Sequence, residues 1–256
     1  MRGVTFLYLL YLGAPIVLLV VGSFGESWTN SLLPSGLTLR WYEEVFADPS
    51  FRRAFETSLL VAGAACALGA LIGLPLAYAI NASARRGVAA AARIATLLPI
   101  AAPELVLAFG LILAFSSDVA PWLGSTWLLI AAHVVLTLPY LTGTLLTDMR
   151  HLGLEQQELA AASLGAGFLQ RARDVVLPAL RHSLMTGLVT VAAISIGEFQ
   201  VSNLIAGFLN RTYPVVLLQA FYGATGFACA ATVVLLALAL LAAAGGAATG
   251  RLARVS

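Results

Sequence analysis

Lysine is missing from this 256-residue chain; all fourteen of its basic residues are arginine. A phosphate-binding P-loop needs a lysine to reach the nucleotide's phosphates, so the chain contains none. Work driven by nucleotide hydrolysis would have to be done by another polypeptide. Charge of both signs is scarce. Only 10% of the residues are charged, where a soluble domain carries about 25%. The formal net charge of +2 says little about partners, and no nucleic-acid partner is expected. Cysteine occurs twice, at Cys66 and Cys229, each inside an apolar stretch and read as a small buried hydrophobe. CxxC, HExxH and GxSxG spacings are absent, which leaves no metal motif and no hydrolase motif.

What fills the chain is hydrocarbon. Hydrophobic residues make up 60% of it, and the mean hydropathy is +0.93. Runs of about 20 apolar residues are the signature of membrane-spanning helices. Six are read, at residues 4–24, 58–81, 94–115, 127–146, 184–205 and 228–248. The first could be a signal peptide behind Arg2. Its apolar core is too long and lacks a small-x-small cleavage site near 23–27, so a retained helix is favoured. The expected class is an all-α membrane protein. Residues 1–57 form the first helix and an outer segment, 58–248 the core, and 249–256 a tail.

Arginine placement sets the orientation. With the N-terminus inside, Arg2, Arg85, Arg86, Arg93, Arg150, Arg171, Arg173, Arg181, Arg251 and Arg254 are cytoplasmic, and Arg40, Arg52, Arg53 and Arg211 are outside. Both termini and the 154–182 segment are then cytoplasmic. Outside, "WYEEVFADPSFRRAF" places Trp41, Val45 and Phe46 at helical spacing before a break at Pro49. A second outer stretch, 207–227, carries Tyr213, Pro214, Phe221 and Tyr222 and suits a headgroup layer. Either stretch could meet an extracytoplasmic partner or rest on lipid. Gly69 and Gly73 share a face that lets another helix approach closely. Pro75, Pro99, Pro103 and Pro139 interrupt spans, and those of the third and fourth point to a kinked, cavity-lining region.

Between two oily runs lies the polar segment "LEQQELAAASLGAGFLQRARDVVLPALRH", residues 154–182. Residues 155–164 are strong helix formers. Gly165 and Gly167 allow a sharp turn, 168–177 read as a second helix, and Pro178 is expected to end it. An interfacial amphipathic hairpin is the plain structural alternative.

These residues resemble the cytoplasmic signature of the permease subunits of binding-protein-dependent ABC importers. That signature is E-A-A-x-x-x-G, nine variable residues, an aliphatic residue, x, and Leu-Pro. Here Leu159, Ala160, Ala161 and Gly165 hold the first part, and Val175, Leu177 and Pro178 the second. Leu159 stands at the family's glutamate position, with Glu158 one place earlier, about 100° around the helix. The resemblance implies a type I importer permease fold of six transmembrane helices in a bacterial inner membrane. It implies that Glu158, Ala160, Ala161, Gly165, Leu177 and Pro178 couple the bundle to an ATPase dimer. ATP and Mg would be bound by that partner, with no cofactor in this chain. A second permease subunit, identical or paralogous, and an extracytoplasmic solute-binding protein are the other partners, with membrane lipid around them.

Three ionisable residues lie inside apolar runs: Glu104, His133 and Glu198. A charge at mid-bilayer costs about 2.5–3.5 kcal/mol on insertion scales, so such residues face a cavity or a partner. Each is otherwise a neutral, hydrogen-bonded structural group. With Ser202 and Asn203 they form the expected translocation path, whose two carboxylates suit a cationic or zwitterionic solute. An acid after proline in the third run and another in the fifth is similar to the spermidine/putrescine branch of the family, and "GEF" at 197–199 is similar to sulfate, molybdate, thiamine and iron permeases. The solute stays open among these and phosphonate. A proton-coupled secondary transporter is a further alternative, and an intramembrane enzyme built on Ser195, Glu198 and His133 finds no motif to support it.

Overall fold

The computed structural model describes residues 2–28 and 33–252, except for the side chains of Arg2 and of residues 242–252. Helix α1 (Arg2–Ser23) leads into a short antiparallel pair, β1 (Gly25–Ser27) and β2 (Ser35–Leu37), in the register Gly25↔Leu37. Then follow α2 (Arg40–Ala47), α3 (Pro49–Ala82), α4 (Arg86–Ala101), α5 (Glu104–Phe115) and α6 (Thr126–His151). The polar segment gives α7 (Leu154–Ser163) and α8 (Phe168–Arg171), and a π-helical turn (Ala172–Val176) joins α8 to α9 (Leu177–Gly197). The chain ends with α10 (Gln200–Ile205), a 3₁₀ turn, α11 (Tyr213–Ala220) and α12 (Thr225–Leu252).

Among the described residues, four helical stretches are long and apolar enough to cross a membrane: α1, α3, α6 and the continuous 168–197 rod. The pair α4–α5 makes a fifth if counted as one bent span. The sixth expected run is α12, whose described apolar part is Thr225–Leu241. Its helix runs on to Leu252, through the first half of the expected tail, and Arg254 lies outside the described residues.

Several boundaries differ from the sequence reading, each for a local reason. Pro49 starts α3 rather than merely ending what precedes it. Its missing N–H is harmless in the first turn, and Asp48 caps the helix, its Oδ1 accepting from the N–H of Ser50 at 2.7 Å and of Phe51 at 3.3 Å. The third expected span is two helices bent by 99°. Pro103 disfavours helical backbone at Ala102, whose ψ is 135°, so the helix must end there. Pro99 and Pro139 stay inside their helices. The fifth expected span stops at Gly197 and restarts at Gln200. The 207–227 stretch does not lie on lipid as a whole. Tyr213 is buried; its N–H donates to Ser58 Oγ at 2.8 Å and its hydroxyl to the Ala231 carbonyl at 2.9 Å. Phe51 packs edge-on against both Tyr213 and Phe227. Phe221 and Tyr222 remain exposed. In α2, Trp41 and Val45 point inward and Phe46 outward; the Trp41 indole N–H donates to the Gly25 carbonyl at 2.7 Å.

The main core is the seam of α3, α6 and α9. Leu141 of α6 is fully buried there. On one side it meets Gly69 and Gly73 of α3, on the other Gly187 of α9. A β-carbon on Gly187 would stand 2.5 Å from Leu141 Cδ1, and one on Gly73 would stand 3.0 Å from Cδ2. Small residues at such seams let backbones close up, and dispersion replaces a hydrophobic drive that lipid cannot supply. Replacing Gly187 with valine should therefore cost about 1–3 kcal/mol by overpacking. Thermal unfolding in detergent should show a clear fall in midpoint, partly recovered when Leu141→Ala is added. An unchanged midpoint for Gly187→Val would show the seam to be looser than drawn.

Candidate functional site

The polar segment forms a lever. Helix α7 ends in a Schellman cap: Gly165 has φ +88°, the Ala166 N–H donates to the Ala161 carbonyl at 3.1 Å, and the Gly165 N–H donates to the Ala162 carbonyl at 2.9 Å. This geometry needs a left-handed residue after the cap, and glycine takes it without strain. Gly167 then opens α8. Pro178 does not end the second arm. The arm widens into the π turn, where the Leu177 N–H reaches back to the Ala172 carbonyl. Pro178 follows in the first turn of α9. The wider turn relieves the clash a proline ring makes with the carbonyl four residues back. The second arm and the span are thus one rod over 168–197.

Of the expected coupling residues, Ala160, Gly165, Leu177 and Pro178 are exposed and Ala161 is half-buried. Glu158 turns into the bundle instead. Its Oε1 accepts from the Tyr78 hydroxyl of α3 at 2.8 Å, and the Phe168 ring sits edge-on to Tyr78 with centroids 6.1 Å apart. The one-place shift of the glutamate from the family position has this consequence: it faces α3, while Leu159, 63% exposed, faces out. Leu164, Phe168 and Leu169 are exposed beside it. Tyr78 was not singled out from the sequence. Its only sequence-level mark is a phenol at the arginine-rich end of an apolar run.

A second cluster lies in the bundle interior. His133 of α6 is 1% exposed and Glu198 is 7% exposed. His133 Nδ1 is 2.7 Å from Ser195 Oγ, and Nε2 is 3.0 Å from Ser202 Oγ and 3.5 Å from Glu198 Oε2. Glu198 Oε1 accepts from the Val201 N–H at 2.7 Å; Oε2 accepts from the Ser202 N–H at 2.9 Å and from the Ser202 hydroxyl. The carboxylate thus caps α10, satisfying donors at its start. The proton positions follow from this. Ser202 has one hydroxyl proton and gives it to Glu198, so His133 must donate from Nε2 to Ser202. Nδ1 lies within hydrogen-bonding distance of the Ser195 hydroxyl, and every polar atom of the four side chains has a partner.

Of the five expected path residues, the structure joins His133, Glu198 and Ser202, together with Ser195. It leaves two apart. Asn203 is exposed on the opposite side of α10, and Glu104 is exposed at the start of α5, just past the α4–α5 break. Glu104 has no hydrogen-bond or ion-pair partner among the described residues.

Comparison with known proteins agrees with this architecture. Residues 69–252 match the family described as binding-protein-dependent transport system inner membrane component. The chain is 30% identical to the spermidine/putrescine transport system permease protein PotC of Haemophilus influenzae, over 80% of this chain and 78% of that one. It is 27% identical to PhnV of Salmonella typhimurium, which bears the name of a 2-aminoethylphosphonate transport system permease, over 92% of this chain and 88% of the other. In three dimensions it resembles a chain of a bacterial ABC transporter involved in alginate import. The TM-score is 0.78 at 16% identity, with 96% of this chain and 92% of that chain covered. With a matched domain over most of its length, helices apolar enough to span a bilayer and the lever between them, this chain belongs to the inner-membrane components of binding-protein-dependent transport systems, the permease subunits of ABC importers.

Proposed function

We propose that this permease, paired with a second permease subunit, forms the path for a small amine-bearing solute, cationic or zwitterionic, and takes its drive from an ATPase dimer through the 154–182 segment. A solute-binding protein on the outer face would deliver the cargo. ATP and Mg belong to the ATPase chains. The observation that carries the coupling role is the capped elbow at Gly165 with its exposed apolar rim, fastened to α3 through Tyr78. A helix end held rigidly and joined to a continuous rod passes a push into the bundle; a floppy loop would absorb it. The alginate transporter determined in complex with a substrate-loaded periplasmic protein supports the delivery partner by analogy of fold.

The solute class rests on two supports. The relatives' names point to spermidine or putrescine and to 2-aminoethylphosphonate, and all three solutes carry an ammonium group. In this chain the carboxylates divide the work. Glu198 is occupied by backbone and hydroxyl donors, so meeting a solute would cost it those bonds. Glu104 sits at a helix break with its charge open. It is the better partner for an ammonium.

Four substitutions test the proposal. Gly165→Leu strains the cap by about 1–2 kcal/mol and should abolish copurification of the ATPase while leaving the bundle's melting midpoint near that of the unsubstituted chain. Normal copurification and normal solute-stimulated hydrolysis would sink the coupling role. Tyr78→Phe keeps the ring contact and removes one hydrogen bond worth about 0.5–1.5 kcal/mol. ATPase binding should persist while solute moved per ATP falls about two- to tenfold, measured in proteoliposomes. Glu104→Gln should cut initial uptake of labelled putrescine or 2-aminoethylphosphonate at least about tenfold without changing stability. Glu198→Ala should lower stability by about 2–3 kcal/mol. If Glu104→Gln transports normally, that carboxylate is not on the path.

A further inference from the structure

A cavity of about 170 Å³ lies between α4 and α6. Arg93, Thr96 and Leu97 line it from α4, and Thr142, Leu146 and Arg150 from α6. Two arginines therefore border one space, Arg93 half-buried and Arg150 exposed. Among the described residues the ion pairs are Arg52–Glu56, His133–Glu198 and Arg173–Asp174, so neither arginine of the cavity has a carboxylate within reach. Asp148, two residues before Arg150, is taken by the Ser183 hydroxyl of α9. The Thr96 and Thr142 hydroxyls donate to carbonyls of their own helices at 2.8 and 2.9 Å and bring no charge. Arg93 Nε is buried with no hydrogen-bond partner.

That combination is unfavourable as it stands. A buried guanidinium N–H has lost water and gained nothing, at a cost of order 1–3 kcal/mol. Two like charges bordering one partly open cavity also repel. An anion bound between them would offset both terms. The guanidinium fork fits the paired oxygens of a phosphoryl group better than a point charge does. The location fits as well. The cavity lies toward the end of the bundle where α6 meets α7, the arginine-rich end next to the lever, where a headgroup layer is expected. Leu97 and Leu146 give it an apolar flank.

We propose that this cavity is a binding site for a phosphoryl oxyanion held between Arg93 and Arg150, supplied either by the headgroup of an anionic phospholipid or by a free phosphate-class anion. The site is independent of the solute assigned to the path. The test uses the full chain with the subunits that copurify with it. The complex is placed in nanodiscs of phosphatidylcholine alone, of phosphatidylcholine with phosphatidylglycerol, or of phosphatidylcholine with inorganic phosphate in the buffer. A rise in melting midpoint of about 3–6 °C with phosphatidylglycerol assigns a lipid headgroup. It should be lost in Arg93→Gln/Arg150→Gln and kept in Arg85→Gln/Arg86→Gln. A rise with inorganic phosphate that chloride at equal ionic strength does not give assigns a soluble anion. The proposal is overturned if neither addition stabilises the unsubstituted protein, or if the Arg85/Arg86 variant loses the effect as fully, which would mark diffuse surface charge. It is also overturned if a map of the assembled complex places a carboxylate of another subunit between the two guanidiniums.

Discussion

Leu141 fixes the bundle. It fills the gap between α3 and α9 because both present glycine at the point of contact. At Gly187 and Gly73 a β-carbon would crowd Leu141 at 2.5 and 3.0 Å, so a larger residue there pushes the helices apart. The register then propagates. His133 stands eight residues before Leu141 on α6, and Ser195 stands eight residues after Gly187 on the antiparallel α9. At about 1.5 Å per residue, both lie about 12 Å from the seam in the same direction, which is why their side chains meet. The polar cluster is thus placed by apolar contact. In lipid, where burial of hydrocarbon gives no preference between helix and bilayer, such steric matching is what specifies one arrangement.

Much of this could be read from the sequence, and the failures are instructive. The spans were legible because long apolar runs have few other uses. The elbow was legible because a helix that must turn sharply and restart needs glycine, and Gly165 and Gly167 stood between two helix-forming stretches. The seam glycines of α3 were legible in pairs, whereas Gly187 carried no neighbour to mark it. Proline was ambiguous. Pro99 and Pro139 remain in helices while Pro103 breaks one, and hydropathy ranks them alike. Pro178 misled because an i→i+5 turn can absorb a proline that an i→i+4 turn would not. The stop at Gly197 was hidden because a carboxylate folding back to cap α10 does not lower the apolar average of the run.

Pairings across the fold were beyond reach. Tyr78 and Glu158 are 80 positions apart, and His133 and Ser202 are 69 apart. The sequence marked the acids as costly and therefore meaningful. It did not show that Glu198 meets its cost within its own backbone while Glu104 keeps its charge in the open. The four-member cluster also forms one continuous run of hydrogen bonds, Ser195, His133, Ser202 and Glu198. Groups linked in this way polarise one another, so their deletions should not add.

The cap at Gly165 has an effect beyond shape. It consumes the carbonyls of Ala161 and Ala162, which at most helix ends stand free as acceptors. The tip of the lever therefore offers a visiting surface few main-chain groups to bond and a rim of Leu159, Leu164 and Phe168. Whatever grips it must do so by contour, and a grip of that kind slackens on cooling and ignores salt.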